Sequence, residues 1–145
     1  KDKDNVRRDW TKAAKTFQRE ILWRVFHDKA IESFIRDYVD SLRNGEIDEE
    51  LIYQKGLSKA PEDYTKTTPQ HVKAAKKLDD FSDNTISYYM TVDGPEPLQA
   101  RHHSIDYDHY IDKQLKPVAS SILNVLGKTF YDVMQGTEQV DLTSF

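Results

Sequence analysis

The chain has 145 residues, of which 37% are hydrophobic and 32% charged, with a formal net charge of −4 at pH 7. That length suits one domain or a piece of a larger protein built from two small lobes, and six Phe, eight Tyr and two Trp supply enough large core pieces to exclude wholesale disorder. The absence of cysteine excludes disulfides and thiolate metal sites, and no apolar run approaches membrane-spanning length.

In chain order, the first predicted element follows Trp10. Ala14, Phe17, Ile21 and Val25 recur at helical spacing, while Lys12, Lys15, Arg19 and Arg24 take other faces. A second helix carries Ile31, Phe34, Ile35, Tyr38, Val39 and Leu42 as one stripe, with Gly45 as its C-cap. A short link around His27 to Lys29 makes the two antiparallel, so that their stripes bury each other.

Between Glu46 and Asp83 the pattern changes. Leu51 to Tyr53 reads as a short strand, and Gly56, Pro61 and Pro69 punctuate a polar loop. Pro69 suits the first turn of a helix through His71, Val72, Ala75 and Leu78, with Thr67 or Thr68 as its cap. "NTISYYMTV" is β-rich and is paired with Leu51 to Tyr53, while "DGPEP" reads as the turn that ends it. Strand alternation predicts that one of Tyr88 and Tyr89 is core.

A last long helix starts near Ile105 or Asp106 and carries Tyr110, Ile111, Leu115, Val118, Ile122, Leu123 and Leu126 on one face, bent at Pro117. Gly127 interrupts it before a short helical turn at Phe130 to Met134, and Gly136 releases a tail. The expected fold class is mainly α with a small β element (α+β), combining antiparallel helices with a short two-stranded sheet.

The net charge conceals a segment of opposite sign. From Lys55 to Lys77 six lysines stand against two acids, Glu62 and Asp63, a local charge of +4 that leaves −8 elsewhere. Local potential, not total charge, governs binding of a polyanion. In "HHSIDYDH", His102, His103, Asp106 and His109 could be drawn together as a zinc site, but Asp106 reads better as the cap of the long helix, so no metal is expected. No nucleophile elbow, P-loop or dinucleotide fingerprint occurs, and adjacent acids such as Asp79 and Asp80 point apart on a helix.

Four stretches in order resemble the C-terminal part of family B DNA polymerases, and within that family the bacterial DNA polymerase II branch. They are "VRRDW" (residues 6–10), "GEIDEELIYQKGLSKAPEDYTKTTPQHVKAAKKL" (45–78), "ISYYMTVDGPEPL" (86–98) and "SIDYDHYIDKQLKPV" (104–118). The resemblance implies a helical thumb lobe that closes over primer–template duplex. It places a palm-exit remnant at 1–10, with Arg7 and Arg8 either near the primer strand or a plain surface pair, the thumb at 11–136, and a flexible tail at 137–145. The family's catalytic carboxylates, in its "DTD" and "SLYP" motifs, are absent from this sequence, as is its Lys-x-Tyr element. Mg²⁺ is therefore expected for a full-length polymerase and no cofactor for this piece, whose partners would be duplex DNA, the palm domain and a sliding clamp. The start, polar and without Met, is expected to be the edge of a longer protein that is soluble, cytoplasmic and nucleoid-associated.

A polymerase holds any sequence, so its grip rests on phosphates, sugars and groove shape. Lysines on a loop and at a helix start suit this, as adjustable point charges beside helix amides. The DNA face is accordingly assigned to Lys55, Lys59, Tyr64, Lys66, His71, Lys73, Lys76 and Lys77; the bland alternative is that Lys73, Lys76 and Lys77 form a solvated helix face. At the end of the chain Gln139, Leu142 and Phe145 stand as Gln-x-x-Leu-x-x-Phe, similar to the peptide by which polymerases dock on the sliding clamp, although Val140 stands where Leu is commoner. A free-standing adaptor domain that binds through this tail is the alternative from another functional class.

Overall fold

The computed structural model describes residues 10–143, with side chains as far as Gly136. Within them the chain forms two compact units, one comprising residues 10–11 and Glu49–Asp106, the other Lys12–Asp48 and the segment from Tyr107 onward. The units are discontinuous in sequence, each described by itself below.

The helical unit opens with α1, Lys12–Phe26, followed by α2, Glu32–Arg43. Phe17 stacks on Phe34 and Tyr38 at ring-centroid distances of 5.9 and 4.8 Å, and the Tyr38 hydroxyl donates to the Ala13 carbonyl at 3.0 Å. Residues 13 and 17 on α1 thus meet 38 and 34 on α2, in the reversed order that antiparallel helices require. Each helix ends in a Schellman motif, in which the residue at C″ donates back to the carbonyl at C3. After α2, Glu46 N–H donates to Ser41 and Gly45 N–H to Leu42, with Gly45 at φ 79° as the sequence predicts. After α1, Lys29 N–H donates to Arg24 and Asp28 N–H to Val25, but the left-handed position is filled by Asp28 at φ 55°. Val25 departs from its expected place in the core, being 40% exposed.

The expected long helix comes in three pieces. They are α4, Tyr107–Tyr110, a π-helical turn, Ile111–Leu115, and α5, Lys116–Leu123, with a 3₁₀ turn at Asn124–Leu126 before Gly127. The π turn, in which Lys116 N–H reaches back to the Ile111 carbonyl, directly precedes Pro117. A proline lacks its own N–H and crowds the carbonyl four residues back, and widening the preceding turn relieves that clash. The last helix, α6, spans Phe130–Thr143, longer than the sequence indicates. Gly136 lies within it, where Arg36 Nη1 approaches to 2.8 Å of the position a Cβ would occupy while donating to the Val133 carbonyl at 3.0 Å. Tyr110, Leu115, Val118, Leu123 and Val133 are, with Phe17, Ile21, Ile35, Val39 and Leu42, among the buried residues of this unit.

The second unit holds a three-stranded antiparallel sheet in the order β1-β2-β3, where β1 is Tyr53–Gly56, β2 Thr85–Thr91 and β3 Gly94–Pro97. The predicted pairing of the first two strands holds, with Tyr53 opposite Tyr88 and their rings stacked at 5.2 Å, but β1 begins two residues late because Leu51 is buried in a 3₁₀ turn, Asp48–Leu51. β3 corrects the expected two-stranded sheet. Its Pro95 and Pro97 read as turn residues, yet an edge strand tolerates proline because only one row of its backbone groups must pair. The β2–β3 turn is closed by Gly94 at φ 98°, with the Thr91 hydroxyl donating to the Gly94 carbonyl and accepting from Asp93 N–H.

A short helix, α3, Gln70–Lys76, packs across β2 and β3 and buries Val72, Ala74 and Ala75 with Leu57, Ile86 and Tyr88. Pro69 occupies its N-cap position with no side-chain cap, so neither Thr67 nor Thr68 takes the expected part. Tyr88 and Tyr89, 6% and 8% exposed, are both buried. Alternation fails to predict this because the segment after β3 covers the second face, its Arg101 guanidinium lying 5.5 Å from the Tyr89 ring.

Candidate nucleic-acid interface

The spacing of α3 decides which of its residues face the sheet and which face solvent. Val72 and Ala75 turn inward, so Lys73 and Lys76 turn outward, with Lys77 following at the C-cap. These three lysines and Gln70 form one wall of a groove of about 550 Å³, whose other wall is the β2–β3 hairpin at Met90, Asp93, Gly94 and Pro95. Lys77 Nζ donates to the Pro95 carbonyl at 2.7 Å across this groove.

Tyr64 joins further cations to the same neighbourhood. Its carbonyl accepts from Lys76 Nζ at 3.3 Å, and Lys59 Nζ sits 4.8 Å from its ring centroid. The Tyr64 hydroxyl bonds with the Ser58 side chain and accepts from the Ser58 amide at 3.1 Å, and these contacts hold its pKa below the usual tyrosine value. Among the described residues, Lys59, Lys66, Lys73, Lys76 and Lys77 form no ion pair with a carboxylate. Their charge is therefore available to a ligand.

The eight residues expected on the DNA face do not all assemble. Lys59, Tyr64, Lys73, Lys76 and Lys77 do. Lys66 is exposed in the loop before α3, and Lys55 is exposed on β1, at the opposite edge of the sheet from β3. His71 lies apart from these exposed side chains. At 8% exposure it lies on the inward side of α3 beside Val72, and an imidazole so covered offers little surface to a phosphate. Arg7, Arg8 and Phe145 lie outside the described residues, as do the side chains of Gln139 and Leu142.

The histidine-rich stretch also differs from expectation. Asp106 does not share a helix face with His109, because residues 104–106 run alongside the end of β2. Val92 N–H donates to the Ser104 carbonyl, Asp106 N–H donates to the Met90 carbonyl, and Ile105 bridges Thr91. In place of the set drawn from sequence, the fold gathers Asp93, Glu96 and His103, with ligand atoms within 4.8 Å of one another. Glu96, on β3 and 3% exposed, accepts at Oε1 from the amides of His102 at 2.7 Å and His103 at 3.0 Å, while Oε2 contacts His103 Nδ1. Burial alone would raise its pKa, but the hydrogen bonds from His102 and His103 outweigh it and hold the carboxyl at about 2. Sequence reasoning passed over Glu96 because it stands between two prolines in a stretch read as a turn, and its partners lie in the next loop.

No family model matches the chain. Its similarity to individual proteins is clear. DNA polymerase II of Escherichia coli is 35% identical over 144 residues, covering 92% of this chain and 18% of that protein. A DNA polymerase of Methanocaldococcus jannaschii is 32% identical, covering 97% of this chain and 10% of that protein. Among solved structures, the family B DNA polymerase from the archaeon Pyrobaculum calidifontis superposes with a TM-score of 0.63 at 25% identity, over 77% of this chain and 17% of that one. The class to which fold and sequence both point is thus the family B DNA polymerases. The similarity to the curated DNA polymerases runs over nearly the whole of this chain, which spans less than a fifth of those relatives.

Proposed function

We propose that this chain is the thumb segment of a DNA-directed DNA polymerase and holds primer–template duplex through its sugar–phosphate backbone and minor groove. The observation that carries this reading is the alignment of Lys73, Lys76 and Lys77 along one groove, with Lys59 and Tyr64 beside it, on a protein whose net charge is −4. Such a surface neutralises successive phosphates and releases their counterions without reading base edges, which is what a polymerase needs in order to move over any sequence. Lys66, in the loop before α3, and Lys55, on the far edge of the sheet, carry further exposed positive charge on the same unit.

The chain's part is to bind and orient, not to transfer nucleotides. Asp79 and Asp80 are exposed neighbours, and Glu96 has Oε1 taken up by two backbone amides, which leaves one oxygen to ligate and none to bridge a second ion, so the residues described do not fit a pair of catalytic Mg²⁺ ions. That chemistry is assigned to carboxylates of a palm domain, which together with duplex DNA is the proposed partner, in a cytoplasmic, nucleoid-associated enzyme. Among the described residues no helix is long and apolar enough to cross a membrane. The proposed segments are a palm exit at 1–10, the thumb at 11–136 and a clamp-binding tail at 137–145, whose Gln139, Leu142 and Phe145 dock on a sliding clamp with affinity on the order of micromolar.

The experiment is binding of the 145-residue chain to a primer–template duplex across a salt series. Contacts to four or five phosphates give a slope of log K against log salt of about −4. A slope near zero would remove the assignment.

A further inference from the structure

We propose that Asp93, Glu96 and His103 form a binding site for a divalent transition metal, best suited to Zn²⁺, at the hairpin end of the sheet. The site is built from three short segments, each fixed independently of any ion. Asp93 is placed by the β2–β3 turn, where its amide donates to Thr91 Oγ1 at 3.1 Å. Glu96 comes from β3, in register with Tyr89 of β2. His103 comes from the following loop, where Arg101 Nη1 donates to the His103 carbonyl at 2.8 Å.

The arrangement of Glu96 carries the argument. Its Oε1 is taken up by the amides of His102 and His103, which orients the carboxylate and directs Oε2 at the imidazole. This is the outer support that metal-binding carboxylates commonly have. Asp93 Oδ2 lies 3.9 Å from the same His103 Nδ1, so one nitrogen and two carboxylate oxygens converge. Glu96 is nearly fully buried, while Asp93 and His103 are exposed enough for an ion and its remaining waters to enter.

One imidazole nitrogen with two carboxylate oxygens is a donor set that Zn²⁺ accepts with water in the remaining position. Mn²⁺ and Co²⁺ are weaker competitors, and Mg²⁺ and Ca²⁺ are disfavoured by the nitrogen. At present His103 Nδ1 and Glu96 Oε2 face each other directly, an arrangement that requires a proton between them. A metal takes the place of that proton at Nδ1, with bonds of about 2.0–2.2 Å separating the two atoms across the ion, and the neutral imidazole then carries its N–H at Nε2.

The test uses the full chain, stripped with a chelator and then titrated with Zn²⁺ alone at neutral pH by calorimetry. The expected result is one saturable equivalent, a rise in melting temperature, and a visible ligand-field spectrum when Co²⁺ replaces Zn²⁺. His103→Ala and Asp93→Asn alter exposed side chains and should keep the wild-type circular dichroism while each weakens binding by about tenfold or more. His102→Ala and His109→Ala should leave it unchanged. Absence of saturable binding below about 1 mM, a range in which affinity is too weak to mark a built site, overturns the proposal. So does Zn²⁺ binding that survives in both the His103 and Asp93 variants, or that is lost with His102 or His109 instead.

Discussion

Lys77 Nζ is hydrogen-bonded to the Pro95 carbonyl at 2.7 Å, which holds one ammonium of the basic groove against the hairpin instead of leaving it to swing in solvent. The cation is thereby pre-positioned, and less side-chain entropy remains to be lost when an anion arrives. Lys73→Gln, Lys76→Gln and Lys77→Gln are each expected to reduce the magnitude of the salt slope for duplex binding by about 0.9, the contribution of one neutralised phosphate. Lys113→Gln, on a π turn of the helical unit and already paired with Asp112, should leave it unchanged. Fluorescence anisotropy across a salt series distinguishes the two groups.

Glu96 makes folding stability depend on acid. Its folded pKa of about 2 lies below the 4.5 of an unperturbed glutamate, so the stability it contributes is fully present above about pH 4.5 and is lost as pH falls towards 2. The loss is on the order of 3 kcal/mol, from the free energy equivalent of each pKa unit. Glu96→Gln should be less stable than wild type at neutral pH and flatter across the acid window. Urea unfolding of both proteins between pH 2 and 6, with chelator present, measures it; parallel curves would show that the buried carboxylate is not ionised as described.

Asp28 occupies a left-handed position, φ 55°, at the end of α1. A side chain there meets a backbone clash that glycine lacks, and no hydrogen bond made by the Asp28 carboxylate offsets it among those described. Asp28→Gly is expected to raise stability by about 0.5–1 kcal/mol, visible as a higher urea midpoint with an unchanged slope. A decrease would mean that the carboxylate contributes more than the strain it causes.

The tail proposal makes a separable prediction. Phe145→Ala should abolish capture by a sliding clamp while duplex affinity and melting temperature stay at wild-type values, because an anchor residue acts only in its partner's pocket. Surface plasmon resonance on an immobilised clamp reads the first and calorimetry the second. Clamp binding that is unaffected would leave the Gln139, Leu142 and Phe145 spacing without a role.

Some of this protein was legible in its amino-acid order alone. The two helices from Lys12 to Arg43, the Gly45 cap, the pairing of β1 with β2 and the outward lysines of α3 follow from period, cap chemistry and local charge, all of which act between residues a few positions apart. The family resemblance was legible too, since it rests on ordered motifs. Tertiary structure alone decided the rest. Pro95 and Pro97 form a strand because β2 offers them an edge, and Tyr88 and Tyr89 are both buried because a later loop covers the second face. The same loop brings His103 to Glu96, seven residues away, through two backbone amides. Such contacts depend on where the chain returns after a turn, and no local periodicity encodes that.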